Sequence, residues 1–162
     1  MRRSRVVALL AAGGFAVLTG CSAPGPAEVT FYADGHTITT TPVLTCDYSQ
    51  QLAQPCSAKG SARTLKVRPG KPVQISVPGE VAGAPWQIVY EYVTPQGEFK
   101  QSDPIPFTSL DRYAYTVTPP TPADRISAVD VQKYTAVLNA GTGESGLLPS
   151  DVWGLRLDQP QA

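Results

Sequence analysis

The chain has 162 residues, with 13 Lys+Arg against 13 Asp+Glu and a single histidine, so its formal charge is zero. Without a basic excess or a basic run it lacks the electrostatic footprint of a nucleic-acid partner and of docking onto anionic lipid. The length suits one domain with a real core and is short for two.

Residues 1–20 read as a processing segment. Arg2, Arg3 and Arg5 give a cationic start, and an apolar run from Val6 to Leu18 follows, broken by Gly13 and Gly14. These are the n-region and h-region of a secretory signal. About 13 apolar residues are too few for a spanning helix, which needs about 20; a short anchor helix is the alternative. Arg2-Arg3 lacks the hydrophobic neighbourhood of a twin-arginine signal. The segment ends in Leu18-Thr19-Gly20-Cys21, which resembles the bacterial lipobox. That resemblance implies cleavage before Cys21 and a diacylglyceryl group on its thiol. One acyl chain anchors marginally and two signals anchor stably, so the expected partner is the extracytoplasmic face of the cell membrane. Loss of the leader would leave ten basic residues against thirteen acidic ones, a net charge of −3.

The expected layout is a leader over 1–20, the lipidated cysteine and a flexible tether over 21–27, a domain over 28–158 and a tail over 159–162. "SAPGPA" supplies the tether. With Cys21 acylated, Cys46 and Cys56 remain for an oxidising compartment. "CDYSQQLAQPC" encloses a short loop, whose closure by a disulfide contributes on the order of 3 kcal/mol in the chain-entropy model. The spacing does not suit a C-x-x-C redox pair, and His36 lies ten residues upstream of Cys46. No metal site or cofactor is expected.

From Glu28 onward β patterns follow one another. "VTFYADGHTITTTPV" has two β-rich runs around Asp34-Gly35, a strong hairpin signal. "RTLKVRPGKPVQISV" repeats that design around Pro69-Gly70, with Leu65/Val67 and Val73/Ile75/Val77 alternating with polar residues. In "PWQIVYEYVTPQGEFKQ", Trp86, Ile88, Tyr90 and Tyr92 fall on one face, and Pro95-Gln96-Gly97 turns the chain. Tyr113, Tyr115 and Val117 form another alternating set. "ISAVDVQKYTAVLN" is long enough for a helix, but its β-branched residues favour a strand, bulged near Gln132-Lys133. In "DVWGLRL", Trp153, Leu155 and Leu157 share a face. Eight or nine short strands, no helix, and 16 prolines with 14 glycines at the turns predict an all-β, immunoglobulin-like antiparallel β-sandwich. A small β-barrel is the alternative. The cysteine pair is local and upstream of Trp86, unlike the long-range disulfide of an immunoglobulin domain proper.

Candidate chemistry is sparse. Gly141, Gly143 and Gly146 match G-x-G-x-x-G, yet Leu147-Leu148-Pro149-Ser150 does not open the helix a dinucleotide site requires. Ser145 in Gly-Glu-Ser-Gly-Leu falls short of a nucleophile elbow, and His36 would have to reach it from the other end of the chain. Asp103, Asp111, Asp124 and Asp130 lack calcium-loop spacing and read as turn and cap residues. The aromatics are the best binding candidates. Trp86 and Trp153 read as core, whereas Tyr90, Tyr92, Tyr113 and Tyr115 suit either the core or a groove.

The lipobox, the Ala/Pro/Thr/Val-rich composition and "VPGEVAGAPWQIVYEYVTPQGE" together resemble a family of small actinobacterial lipoproteins of unknown function. The similarity spans Glu28 to Leu157 and is most specific from Val77 to Gly97, around Ala84-Pro85-Trp86. It implies export, membrane attachment and one β-rich domain, and it carries no catalytic or binding residue. The expectation is therefore a monomeric, non-enzymatic envelope lipoprotein that binds a protein or polymer. A carrier or sensor of an apolar envelope molecule, with a tyrosine-lined cavity, stands second and a hydrolase third.

Overall fold

A computed structural model describes residues 25–49, 55–138 and 145–158. Residues 1–24, with Cys21 and the leader, lie outside that set, as do the tail over 159–162 and Gly141 and Gly143. The described residues form twelve strands, more than the eight or nine expected, and one helical turn. The chain runs through β1 (Val29–Ala33), β2 (His36–Thr40), β3 (Leu44–Cys46), β4 (Cys56–Ala58), β5 (Arg63–Lys66) and β6 (Val73–Ser76). It continues with α1 (Gly79–Ala82), β7 (Trp86–Val93), β8 (Phe99–Gln101), β9 (Ile105–Phe107), β10 (Ala114–Val117), β11 (Arg125–Leu138) and β12 (Ser145–Asp158). Several of the additional strands are three residues long, too short to show a period of two.

Two sheets face each other, which gives the sandwich rather than the barrel. The small sheet has the order β10-β6-β1-β2. The large one has the order β4-β3-β12-β11-β7-β8, with β5 on β12 and β9 on β7. Asp34 (φ 50°) and Gly35 (φ 83°) both adopt left-handed backbone in the β1–β2 turn, the geometry that an Asp-Gly hairpin supplies. The Pro69-Gly70 turn behaves differently. Gly70 has φ 73° and Lys71 N–H donates to the Arg68 carbonyl at 3.4 Å, as in a type II turn. Yet β5 and β6 do not pair. β5 lies parallel to β12, and β6 lies between β1 and β10. The expected second hairpin is instead a crossover from one sheet to the other.

β11 and β12 are 14 residues each and pair along their length. Their register shifts between Lys133 and Tyr134, because Asp151 and Pro149 are the respective partners and Ser150 is the extra residue. The expected bulge is there, on the partner strand. Pro149 fits beside it because a proline has no N–H to give to the ladder.

Apolar residues of both sheets fill the space between them. Trp86, Trp153, Phe31, Ile75, Ile88 and Leu155 are each at most 2% exposed, and Trp153, Leu155 and Leu157 share the inner face as expected. The sandwich has two distinct ends. Asp34-Gly35, Gly70 and Gly97 turn the chain at one. At the other lie the entry into β1, the β2–β3 crossover, α1 and the start of β7. There β11 and β12 run on past the bulge as a two-stranded arm.

Candidate functional site

The entry end holds a cleft of about 650 Å3, lined by Pro26, Ala27, Pro42, Trp153, Lys133 and Asp151 among others. Its construction follows from strand alternation. Lys133 is in phase with the fully buried Val129 and Val131, and Asp151 is in phase with the buried Trp153 and Leu155. Two charged side chains thus occupy core-facing positions where the core runs out. Their Nζ and Oδ2 atoms lie 3.8 Å apart, with both side chains about a quarter exposed or less (27% and 20%). Ser150 Oγ, at the bulge, lies 3.1 Å from Asp151 Oδ2 and donates to the Lys133 carbonyl at 3.4 Å.

The opposite wall comes from the entering chain. Trp153 Nε1 donates to the Ala27 carbonyl at 2.9 Å, and Val43 N–H donates to the Val152 carbonyl at 2.7 Å. These bonds draw the segments before β1 and after β2 over the indole. Lys59 and Glu80 also line the mouth. The cleft therefore has an apolar floor and a rim carrying both signs of charge, which suits a neutral or zwitterionic amphiphilic group.

None of the four tyrosines lines this cleft. Tyr90 and Tyr92 lie side by side on β7 with ring centroids 6.0 Å apart. Burial is the main cause that pushes the Tyr90 phenol above its ordinary range, with Tyr92, Tyr115 and Asp124 adding to it. Tyr115 packs on Phe107 at 5.3 Å, and Phe107 stacks on Trp86 at 4.1 Å. This aromatic seam closes the open edge between β9 of the large sheet and β10 of the small one. Tyr113 stands apart and is 55% exposed, while its carbonyl accepts from Val77 N–H.

Ser145 lies at the far end of the arm and His36 at the start of β2 at the opposite end, so the fold does not bring them together. Asp124 caps its own turn, accepting from Thr121 N–H at 2.9 Å. Asp130 is not a turn residue. It sits inside β11 on the outer face, 3.7 Å from Arg156 Nη1. Among the described residues no three His, Cys, Asp or Glu side chains converge as metal ligands, and no helix is long and apolar enough to cross a membrane.

Cys46 and Cys56 are bonded directly across the β3–β4 pair. The bonded pair lies beside the arm, where Tyr48 Oη donates to the Pro149 carbonyl at 2.8 Å. Sequence patterns pointed to the tyrosines and missed Lys133 and Asp151. The signal available for these two was a charge in phase with an apolar strand face.

Fold and cleft together define a two-sheet β module with an amphipathic recess where the chain enters. The chain belongs to DUF2771, a family of proteins of unknown function, whose model matches residues 22–158. It is 27% identical over 153 residues to uncharacterised proteins of Mycobacterium tuberculosis and Mycobacterium bovis, covering 94% of this chain and 90% of each relative. These relatives agree with the actinobacterial resemblance of the sequence. No solved structure matches the chain.

Proposed function

We propose that the protein is a cell-envelope lipoprotein, held at the extracytoplasmic face of the membrane by a diacylglyceryl group on Cys21. In this reading it acts as a monomeric, non-enzymatic binding module for an envelope protein or polymer. The observation that supports it is the cleft at the chain's entry. A recess with an apolar floor and a mixed-charge rim binds amphiphilic groups without needing a nucleophile or a metal. Cys21 precedes Ala27, on the wall of the recess, by only six residues, which supports an anchor close to it.

The test is twofold. Acyl labelling of the full chain should be lost in Cys21→Ala, and the variant should become soluble or persist as an uncleaved precursor; unchanged labelling would refute the anchor. A photoreactive side chain at Thr41, on the cleft wall, should capture the partner in native envelopes. Capture from the tyrosine edge alone would move the binding site there.

The apolar floor of the cleft also favours a second reading, in which an apolar envelope molecule is carried. Its seat would then be Trp153, Pro42 and Ala27 rather than the tyrosines, and solvent extraction of the native protein should release that molecule.

A further inference from the structure

The arm beyond the bulge is unlike the rest of the surface. Leu138, Leu147 and Leu148 are 68%, 53% and 40% exposed. Leu147 pairs with Ala136, Leu148 with Thr135 and Leu138 with Ser145. Alternation then puts Leu138 and Leu147 on one face of the ribbon and Leu148 on the other. Seven large hydrophobic side chains are exposed among the described residues, and five of them, with Leu110 and Tyr113, lie at this end. Tyr32 and Phe99 are the two at the far end.

We propose that this arm is a second membrane contact, with its leucines seated in the lipid interface beside the anchor. The inference rests on the acylation of Cys21 proposed above. Three observations select lipid as the occupant. The N-terminal segment joins the described residues at this end, because Ala27 is bonded to Trp153. Six residues of extended chain span at most about 22 Å, and the five strand positions from Trp153 to Leu148 carry the arm about 17 Å beyond the indole. The tether is therefore long enough for the anchor and the leucines to share one plane. Second, leucines on both faces suit a surrounding apolar medium, whereas a ribbon docked in a protein groove buries one face. Third, charges of both signs at this end, with Lys59 and Lys133 against Glu80 and Asp151, offer no electrostatic alternative.

The depth is limited. A two-stranded ribbon has unpaired edge N–H and C=O groups that hydrocarbon cannot satisfy, so the contact stays within the outer 5–10 Å or so of the bilayer. The disulfide-closed segment braces the arm through Tyr48 and Pro149, which keeps the leucines presented.

Acylated full-length Leu147→Trp and Leu138→Trp proteins, reconstituted in phosphatidylcholine vesicles containing lipid brominated near the headgroup, test this directly. The fluorescence of the added indole should be quenched in both, at low and high salt alike. Phe99→Trp, at the far end, should not be quenched. An unquenched arm on vesicles that carry the protein would overturn the inference and leave the anchor standing. Arm amides protected in native envelopes but unquenched in vesicles would assign the leucines to a protein partner, and equally overturn it. A mass lacking the acyl groups would remove the anchor reading and this inference together.

Discussion

The indole of Trp153 and the carbonyl of Ala27 are 126 residues apart in sequence and 2.9 Å apart in space. One end of the bond lies on the inner face of β12, on a buried side chain at the entry end of the core. The other lies on the segment that leads from the tether into β1. The bond thus joins the chain's entry to the buried stretch of β12, and it forms the back of the cleft.

Replacing Trp153 with Phe should remove that bond and part of the ring volume. A net hydrogen bond contributes about 0.5–1.5 kcal/mol, and the residual space adds to the loss. We expect urea unfolding to show a loss of about 1–3 kcal/mol in all. Trp86→Phe is the control, because Trp86 Nε1 has no hydrogen-bond partner among the described residues. Its loss should be smaller, and an equal loss would mean that the Trp153 bond adds nothing.

Cys46 and Cys56 should give no free thiol in the oxidised protein. Their double replacement by Ser should lower unfolding stability by about 2–3 kcal/mol, given the short loop they close. Proteolysis should then begin near Tyr48 and the arm, since the bonded pair holds that segment against Pro149. Cleavage at the Asp34-Gly35 turn first would contradict this assignment of the brace.

Two aspartates predict opposite responses to acid. Asp34 accepts from Arg68 Nε at 2.8 Å and from its backbone N–H at 3.1 Å, and these bonds hold its carboxyl far below the usual range. A lowered folded pKa gives stability that is present above the unfolded value, about 3.9, and lost as the pH falls below it. Asp34→Asn should therefore lower Tm at pH 7 and converge with the parent in strong acid. Burial raises the Asp130 carboxyl despite Arg156, and Glu91 adds to the rise. Its charge therefore costs stability as the pH rises through the raised value. Asp130→Asn should raise Tm at pH 7 and match the parent near pH 3, which thermal melts at both pH values would read.

Gly70→Ala should destabilise through two effects at one position. Its φ of 73° is left-handed, and an added Cβ would come within 2.9 Å of the Pro122 carbonyl oxygen. A left-handed L-residue costs roughly 1–2 kcal/mol, and the backbone contact adds to that. Gly35→Ala has φ 83° but open space around it, so its loss, read by the same denaturant melts, should be the smaller.

Local chemistry made much of this fold legible. Asp34-Gly35 specifies its own hairpin, the alternation from Trp86 to Tyr92 specifies β7, and the β-branched run from Ile126 to Val137 marks β11 with its bulge. The Pro69-Gly70 turn shows where that legibility stops. Turn residues fix how sharply the chain reverses, but the partner of each flanking strand is set by tertiary packing, which here sends β5 to β12 and β6 to β1. The site was harder still. Tyr90 and Tyr115 looked available because alternation cannot tell an inner edge from a groove, and Phe107, which seals that edge, sits in a strand of three residues. Lys133 and Asp151 carry strand patterning like any other polar pair, and only the end of the core gives them a recess to line.

The parallel seat of β5 on β12 has a kinetic consequence. Leu65 meets Leu157, and Val67 N–H donates to the Asp158 carbonyl, so partners some ninety residues apart must find each other before the large sheet has both of its flanks. Contacts of such separation make folding slow. A chain delivered from its N-terminal side can form the β1–β2 hairpin at once. It must then wait for β12 before β3, β5 and β11 gain their shared neighbour. Until that strand arrives, the edge of β11 stands open along its whole length, which is the interval when this chain most needs protection from other strands.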